Sequence, residues 1–257
     1  MGISAMLNGG QKTERPVTQM MSLHAHLAEL RSRLMVCVGA FASAMVIAYL
    51  LYGEVLSFLE RPYCATIGRA DTCALYVTGP LDAFAVRMNV TAYGALILSS
   101  PVIFYELWNF VTPGLRASER RYALPFVAAM SMLFLTGSFV AWTTFPHVMS
   151  FLHGVGGPGI RDIFTPDRYI GLICSLMAIF GLVFEFPVLL VSLEIAGVVT
   201  PARLGSLRRM AIVAIVVLSA VITPSSDPFS MLAMALPMLV FYEVSILIGR
   251  IFERRRR

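Results

Sequence analysis

Long apolar runs with few charges, separated by short polar segments, dominate this chain. An α-helix needs about 20 apolar residues to cross the hydrocarbon core of a bilayer. The runs predict six membrane-spanning helices, at about 34–52, 86–105, 122–144, 169–193, 210–223 and 228–248. The last two runs are short, which favours local thinning of the bilayer or packing against neighbouring helices.

Proline marks both the starts and the interiors of these helices. A polar residue directly before proline is typical of a helix start, because its side chain caps a free amide and proline needs no partner in the first turn. Four pairs fit this pattern: Thr112-Pro113, Thr165-Pro166, Thr200-Pro201 and Asp227-Pro228. Within the second, fourth and sixth spans lie Pro101, Pro187 and Pro237. Each removes a helical hydrogen bond, so bent helices and a concave bundle are predicted.

Composition and charge place the chain in a membrane and give it an orientation. Apolar residues make up 58%, charged residues 14%, and the mean hydropathy is +0.77, which indicates an integral membrane protein. With a cytoplasmic amino terminus, fifteen of the twenty Lys and Arg residues lie on the inside. Both termini are therefore expected to be cytoplasmic. The net charge of +5 is then a topology signal, and no nucleic-acid partner is expected.

The predicted organisation is a polar, disordered tail (1–20), a six-helix membrane domain (21–250) and a basic tail (251–257). No cleavable leader is recognised before the first span. No internal repeat of the kind found in many transporters is visible.

The sequence contains no pattern typical of an enzyme active site. The glycine-rich segment 154–159 lacks the Lys-Ser/Thr of a phosphate-binding loop, and the histidine pairs lack metal-ligand spacing. We therefore expect no cofactor, no metal and no enzyme. Cys64 and Cys73 lie in the first outside loop, where either a disulfide or two free thiols is possible, whereas Cys37 and Cys174 fall within spans.

Two segments on the inside face combine acidic and aromatic residues. Leucines at helical spacing predict that 22–34 is an amphipathic helix on the membrane surface, leading into the first span. Glu29 and Arg33 are four residues apart there, which by itself indicates a surface ion pair of about 0.3 to 0.5 kcal/mol. The segment 105–121 supplies Glu106, Phe110 and Glu119. A structural role for Glu119, favouring the dipole of the third span, stays open.

Four groups of residues resemble the TatC family, the multispanning receptor of the twin-arginine protein translocase. They read H-L-A-E-L-R-S-R-L at 26–34; Y-E-L-W-N-F-V-T-P-G-L at 105–115 with E-R-R at 119–121; F-G-L-V-F-E-F-P-V at 180–188; and T-P-S-S-D-P-F-S with A-L-P-M-L-V-F-Y-E at 223–230 and 235–243. The resemblance covers about 21–249. It implies an all-α membrane protein of the bacterial cytoplasmic membrane.

The resemblance also implies a site for the paired arginines of signal peptides on folded cargo. Glu29 and Glu119 match the family's carboxylates, Phe110 its aromatic contact and Arg31 a supporting arginine. Two carboxylates suit two arginines, because each guanidinium prefers a planar, bidentate acceptor. The implied partners are the single-span proteins TatA and TatB, other TatC copies and the lipid bilayer, and transport would draw on the proton-motive force.

Further positions match residues of the family outside the peptide site. Pro62 matches a proline linked to translocation after binding. Glu185 matches a carboxylate in a polar patch, Glu243 another family acid, and Asp227 an acid that equally fits a helix cap. Met231 is the position at which the resemblance implies docking of a small partner helix, and it replaces the glutamine that gives some members a polar contact there.

One different class of protein stays open from the sequence. Glu185 and Glu243 lie inside predicted spans, where carboxylates are costly and often functional, so an ion-coupled secondary transporter is the alternative.

Overall fold

The computed structural model describes residues 23–67, 76–111, 123–155, 165–195, 197–225 and 227–256. Within these ranges the regular structure is entirely helical. The helices are α1 (Leu23–Leu50), α2 (Tyr52–Ile67), α3 (Asp82–Val111), α4 (Ala123–Val155), α5 (Pro166–Val183), α6 (Phe186–Ile195), α7 (Pro201–Ser206), α8 (Arg208–Ile222) and α9 (Pro228–Arg256). The expected all-α class is confirmed.

Five helical segments among the described residues are long and apolar enough to cross a membrane. They are Leu27–Leu50, Asp82–Phe110, Leu124–Val155, Pro166–Glu194 and Pro228–Ile251. The remaining predicted span corresponds to α8, which has 15 residues. At 1.5 Å per residue it is about 22 Å long, shorter than the roughly 30 Å hydrocarbon core. The sixth span therefore stays a prediction.

The first helix differs from the prediction of a separate surface helix. Residues 22–34 were expected to lie on the membrane and lead into the first span, but α1 runs without interruption from Leu23 to Leu50. The physical reason is local. No glycine or proline occurs between residues 23 and 38, and leucine, alanine, glutamate and arginine are strong helix formers.

The core lies where α4 and α5 pack against each other. Phe134 of α4 and Ile173, Leu176 and Phe180 of α5 are almost fully buried. Ser138 of α4 donates a 3.0 Å hydrogen bond to the Met177 carbonyl. Helix α1, by contrast, packs mainly on α3 and leaves most of its surface exposed.

Small residues allow α4 and α5 to approach closely. An added Cβ at Gly137 would lie 2.5 Å from the Phe180 carbonyl oxygen, and one at Gly181 would lie 2.6 Å from the Phe134 ring. Close contacts through small residues are a common way to pack helices in membranes. The pair fixes the position of α5, and therefore of the carboxyl group that follows it.

Three of the four predicted helix starts are confirmed: α5, α7 and α9 begin at Pro166, Pro201 and Pro228. Thr112-Pro113 lies outside the described residues. Pro101 and Pro237 lie inside α3 and α9.

The fourth predicted span is divided in two. Helix α5 ends at Val183 and α6 begins at Phe186. Because Pro187 has no N–H to offer the Val183 carbonyl four residues earlier, the helical hydrogen-bond ladder is interrupted there. Glu185 lies at this break.

Candidate functional site

An ion-pair cluster joins α1 to α3. Arg33 Nη2 and Nε donate to Glu29 Oε1 at 2.6 and 3.1 Å, and Arg33 Nη1 donates to Glu106 Oε2 at 3.0 Å. Glu29 and Arg33 are one helical turn apart on α1, while Glu106 comes from α3. One guanidinium therefore bridges two carboxylates from two helices.

The cluster is partly withdrawn from water. The exposed fractions of the side chains are 25% for Arg33, 21% for Glu29 and 16% for Glu106. Glu29 Oε2 is buried and has no hydrogen-bond partner among the described residues. With two carboxylates and one guanidinium, the cluster carries a net charge of −1. This excess of negative charge favours a guanidinium partner, and charged hydrogen bonds there are stronger than in a fully exposed pair.

The structure confirms the Glu29–Arg33 pair and adds Glu106. Sequence reasoning placed Glu106 on the inside face but gave it no role, because Glu106 and Arg33 are 73 residues apart and no local spacing joins them. Phe110, half-buried, follows one turn after Glu106 at the end of α3. Arg31 is exposed. Glu119, the other predicted carboxylate, lies outside the described residues.

Glu185 is placed at the break between α5 and α6. Both of its carboxyl oxygens are buried without a hydrogen-bond partner among the described residues. Its neighbour Phe184 is buried against Gly137 and Phe241. A carboxyl group at membrane depth is costly, and it is usually neutralised, hydrated or paired. The Glu185 carboxyl group therefore forms a local polar site within an otherwise apolar helix bundle.

A second buried carboxyl group was missed by sequence reasoning. Glu194, in the last turn of α6, is 9% exposed, and neither of its oxygens has a hydrogen-bond partner in the part of the chain that the structure describes. Its carboxylate packs on the backbone of Gly249 in α9, where an added Cβ would lie 2.2 Å from Oε2. The only sequence signal is one acid at the end of an apolar run.

Glu243 lies at the protein surface. Its Oε2 accepts a 2.6 Å hydrogen bond from Arg208 Nη2, and both side chains are about half exposed. A half-exposed carboxylate paired with an arginine gives no support to the alternative in which Glu243 carries a coupling proton inside a bundle. This position follows from tertiary packing: the α7–α8 junction approaches α9 there, and the preceding residue, Tyr242, donates to the Leu204 carbonyl at 2.8 Å.

Asp227 caps α9. Its Oδ1 accepts a 2.8 Å hydrogen bond from the backbone N–H of Ser230, and its Oδ2 accepts from the hydroxyls of Ser225 and Ser230. The carboxylate is 1% exposed. The cap interpretation of Asp227 is confirmed. Met231, in the first turn of α9, is half-buried, and its contact to a partner helix stays a prediction.

Pro62 lies inside α2 and is buried. Because proline has no N–H, the Phe58 carbonyl four residues earlier loses its helical partner. Trp142 Nε1 of α4 donates to that carbonyl at 3.3 Å, and Tyr169 of α5 donates to the adjacent Leu59 carbonyl at 3.0 Å. Two helices of the core thus hold α2 at its proline.

Two of the four cysteines lie within helices, as the sequence suggested. Cys37 and Cys174 are free thiols within α1 and α5. Cys64, in α2, is disulfide-bonded. Cys73, its predicted partner, lies outside the described residues, so the pairing stays a prediction.

Comparison with known proteins identifies the family. The model for "Sec-independent protein translocase protein (TatC)" matches residues 25–237. A TatC from Frankia casuarinae is 41% identical over 244 residues, which is 91% of this chain and 67% of the relative. A TatC from Aquifex aeolicus is 33% identical and is covered almost completely, at 98% of its length.

A solved structure agrees with these relatives. The crystal structure of the twin-arginine translocase receptor TatC in DDM superposes with a TM-score of 0.73 at 32% identity, covering 87% of this chain and 99% of that one. The transporter alternative finds no support in any of these comparisons. The chain is a multi-pass membrane protein, a subunit of the twin-arginine translocase, and it belongs to the TatC family.

Proposed function

We propose that the Glu29–Arg33–Glu106 cluster, completed by Phe110 and Glu119, binds the paired arginines of twin-arginine signal peptides. The observation that carries the proposal is the convergence of carboxylates from α1 and α3 on one guanidinium at 2.6 to 3.0 Å. The molecule thus already holds one guanidinium between the two carboxylates.

Charge and burial support this role. A guanidinium offers a planar fork of donors that matches a carboxylate, and lysine cannot reproduce it. Side chains only 16 to 25% exposed keep part of this interaction out of water. Each charged hydrogen bond would then contribute about 1.5 to 3 kcal/mol, against about 0 to 1 kcal/mol for a fully exposed pair. Glu119 would add a third carboxylate for the second arginine.

We place this site on the cytoplasmic face, with both termini inside. Support comes from the excess of Lys and Arg in the segments on that side. Folded cargo carrying a signal peptide would meet the site there, before export driven by the proton-motive force.

TatA and TatB are the proposed partners, docking on α8 and α9. On α8 an apolar stripe at helical spacing is exposed, formed by Met210, Val213, Val217 and Val221. Exposed apolar residues continue on α9, among them Leu232, Leu236 and Val240. A single-span helix fits such a surface. Other copies of the chain and lipid would cover the remaining faces.

Glu185 has a separate proposed role as a hydrated or partner-binding spot during translocation. Its support is the buried carboxyl group at the α5–α6 break, for which the described ranges of the chain offer no hydrogen-bond partner. Pro62, with α2 held against the core by Trp142 and Tyr169, is proposed to act after peptide binding.

Peptide binding to the detergent-solubilised full chain tests the central proposal. Glu29→Gln and Glu106→Gln should each lower the affinity for an Arg-Arg signal peptide by about tenfold or more, since each removes a charged acceptor. Glu54→Gln, on the exposed face of α2, is the matched control for loss of one negative charge. Equal affinity of the wild type for Arg-Arg and Lys-Lys peptides, or unchanged binding by both Gln variants, would refute the proposal.

A further inference from the structure

We propose that Arg33 is an internal competitor for the signal peptide. In the resting protein its guanidinium occupies the position between Glu29 and Glu106 that one arginine of the peptide takes, so binding exchanges one arginine for another. This inference rests on the proposed function and adds a regulation of that same site.

The hydrogen-bond geometry requires such an exchange. Glu29 Oε1 already accepts two N–H groups of Arg33, and Glu29 Oε2 is buried. A bidentate guanidinium needs both oxygens of a carboxylate. While Arg33 is in place, Glu29 can therefore offer no fork to a second guanidinium. Glu106 likewise has one oxygen engaged by Arg33 at 3.0 Å.

The Arg33 side chain can also be displaced from the two carboxylates at low cost. Its side chain is 25% exposed, so it has a route toward water, and it holds Glu29 across a single helical turn. Pairs at that spacing contribute little by themselves, about 0.3 to 0.5 kcal/mol when exposed. The contact to Glu106 links α1 to α3 and is the part that a peptide arginine would replace.

Because Arg33 already occupies the carboxylates, a signal peptide must compete with it in order to bind. A peptide arginine replaces Arg33 with an identical group, so few hydrogen bonds are lost in the exchange. A lysine would replace a planar fork of five donors with a compact point charge, and the exchange would be unfavourable. Arg33 therefore keeps weakly matched basic segments from occupying the carboxylates.

The test is fluorescence anisotropy of a labelled Arg-Arg signal peptide with the full chain in detergent. Removing the competitor in Arg33→Gln should tighten binding about tenfold, which corresponds to about 1.4 kcal/mol. Arg33→Lys keeps the charge but cannot bridge both carboxylates, so it should tighten binding by a smaller factor of about three. Arg209→Gln, which removes an exposed arginine from α8, is the matched control and should leave the affinity unchanged.

The direction of the change separates competition from positioning. If Arg33→Gln weakens binding or leaves it unchanged while Glu29→Gln still abolishes it, Arg33 only positions the carboxylates and this inference is overturned. If Arg33→Gln does not fold, Arg33→Lys decides the matter: tighter binding supports competition, and equal or weaker binding overturns it. If Glu29→Gln and Glu106→Gln both bind like the wild type, the proposed function itself fails.

Discussion

Gly137→Ala is the substitution for which the structure gives the sharpest expectation. Gly137 of α4 faces α5, where a new Cβ would lie 2.5 Å from the Phe180 carbonyl oxygen and 2.8 Å from Phe184 Cγ. An ordinary contact begins near 3.4 Å, so the methyl group needs about 0.9 Å of additional room. The Phe180 oxygen belongs to a helical backbone and cannot rotate aside.

The helices must therefore separate or shift, because α4 and α5 share the most buried part of the core. Overpacking a well-packed interior costs about 1 to 3 kcal/mol, and a backbone collision places this case at the upper end, near 3 kcal/mol. Phe184 would move as well, and with it the carboxyl group of Glu185, the next residue. We therefore expect weaker translocation in addition to lower stability.

The measurement is the free energy of unfolding in mixed micelles as the fraction of denaturing detergent rises. Gly39→Ala in α1 is the control, because an added Cβ there meets nothing within 4 Å. The control should be no less stable than the wild type, since alanine favours a helix over glycine. If Gly137→Ala unfolds at the same detergent fraction as Gly39→Ala, the close approach of α4 and α5 is refuted.

Three further predictions concern α2 and the start of α9. Trp142→Phe removes the donor to the Phe58 carbonyl and should lower the unfolding free energy by about 0.5 to 1.5 kcal/mol; an unchanged value would mean that the bond contributes nothing. Burial raises the pKa of the Glu60 carboxyl. The folded chain then keeps this proton to higher pH than the unfolded chain, so stability should fall as the pH rises above the ordinary carboxyl pKa of 4.5. The fall should be less steep in Glu60→Gln, and an equal change of melting temperature with pH in the two proteins would contradict this. Asp227→Ala should lower the unfolding free energy by about 1 to 2 kcal/mol, because the helix cap is lost, and Asp227→Asn should lower it much less. Equal losses in the two variants would mean that the charge of Asp227, and not the cap, stabilises the helix start.

The carboxylates differ in how much of their environment the sequence predicts. The Glu29–Arg33 pair and the Asp227 cap were predictable, because each depends on residues three or four positions apart in one helix. Glu106 was visible as an acid on the predicted inside face, but its contact with Arg33 depends on α3 packing against α1. Glu194 was overlooked, since only the packing of α6 on α9 shows that its carboxylate is buried against Gly249.

The sequence by itself determined the local features of this protein. These are the apolar runs of membrane length, the helix starts at proline, the excess of basic residues in the predicted inside segments and the motifs of the TatC family. These follow from the chemistry of each segment in a bilayer. The tertiary structure decided which segments meet. It made one helix of the first two predicted elements, placed Glu243 on the surface and brought Glu106 to Arg33. Contacts between residues far apart in the chain depend on the packing of whole helices, and no local pattern encodes that packing.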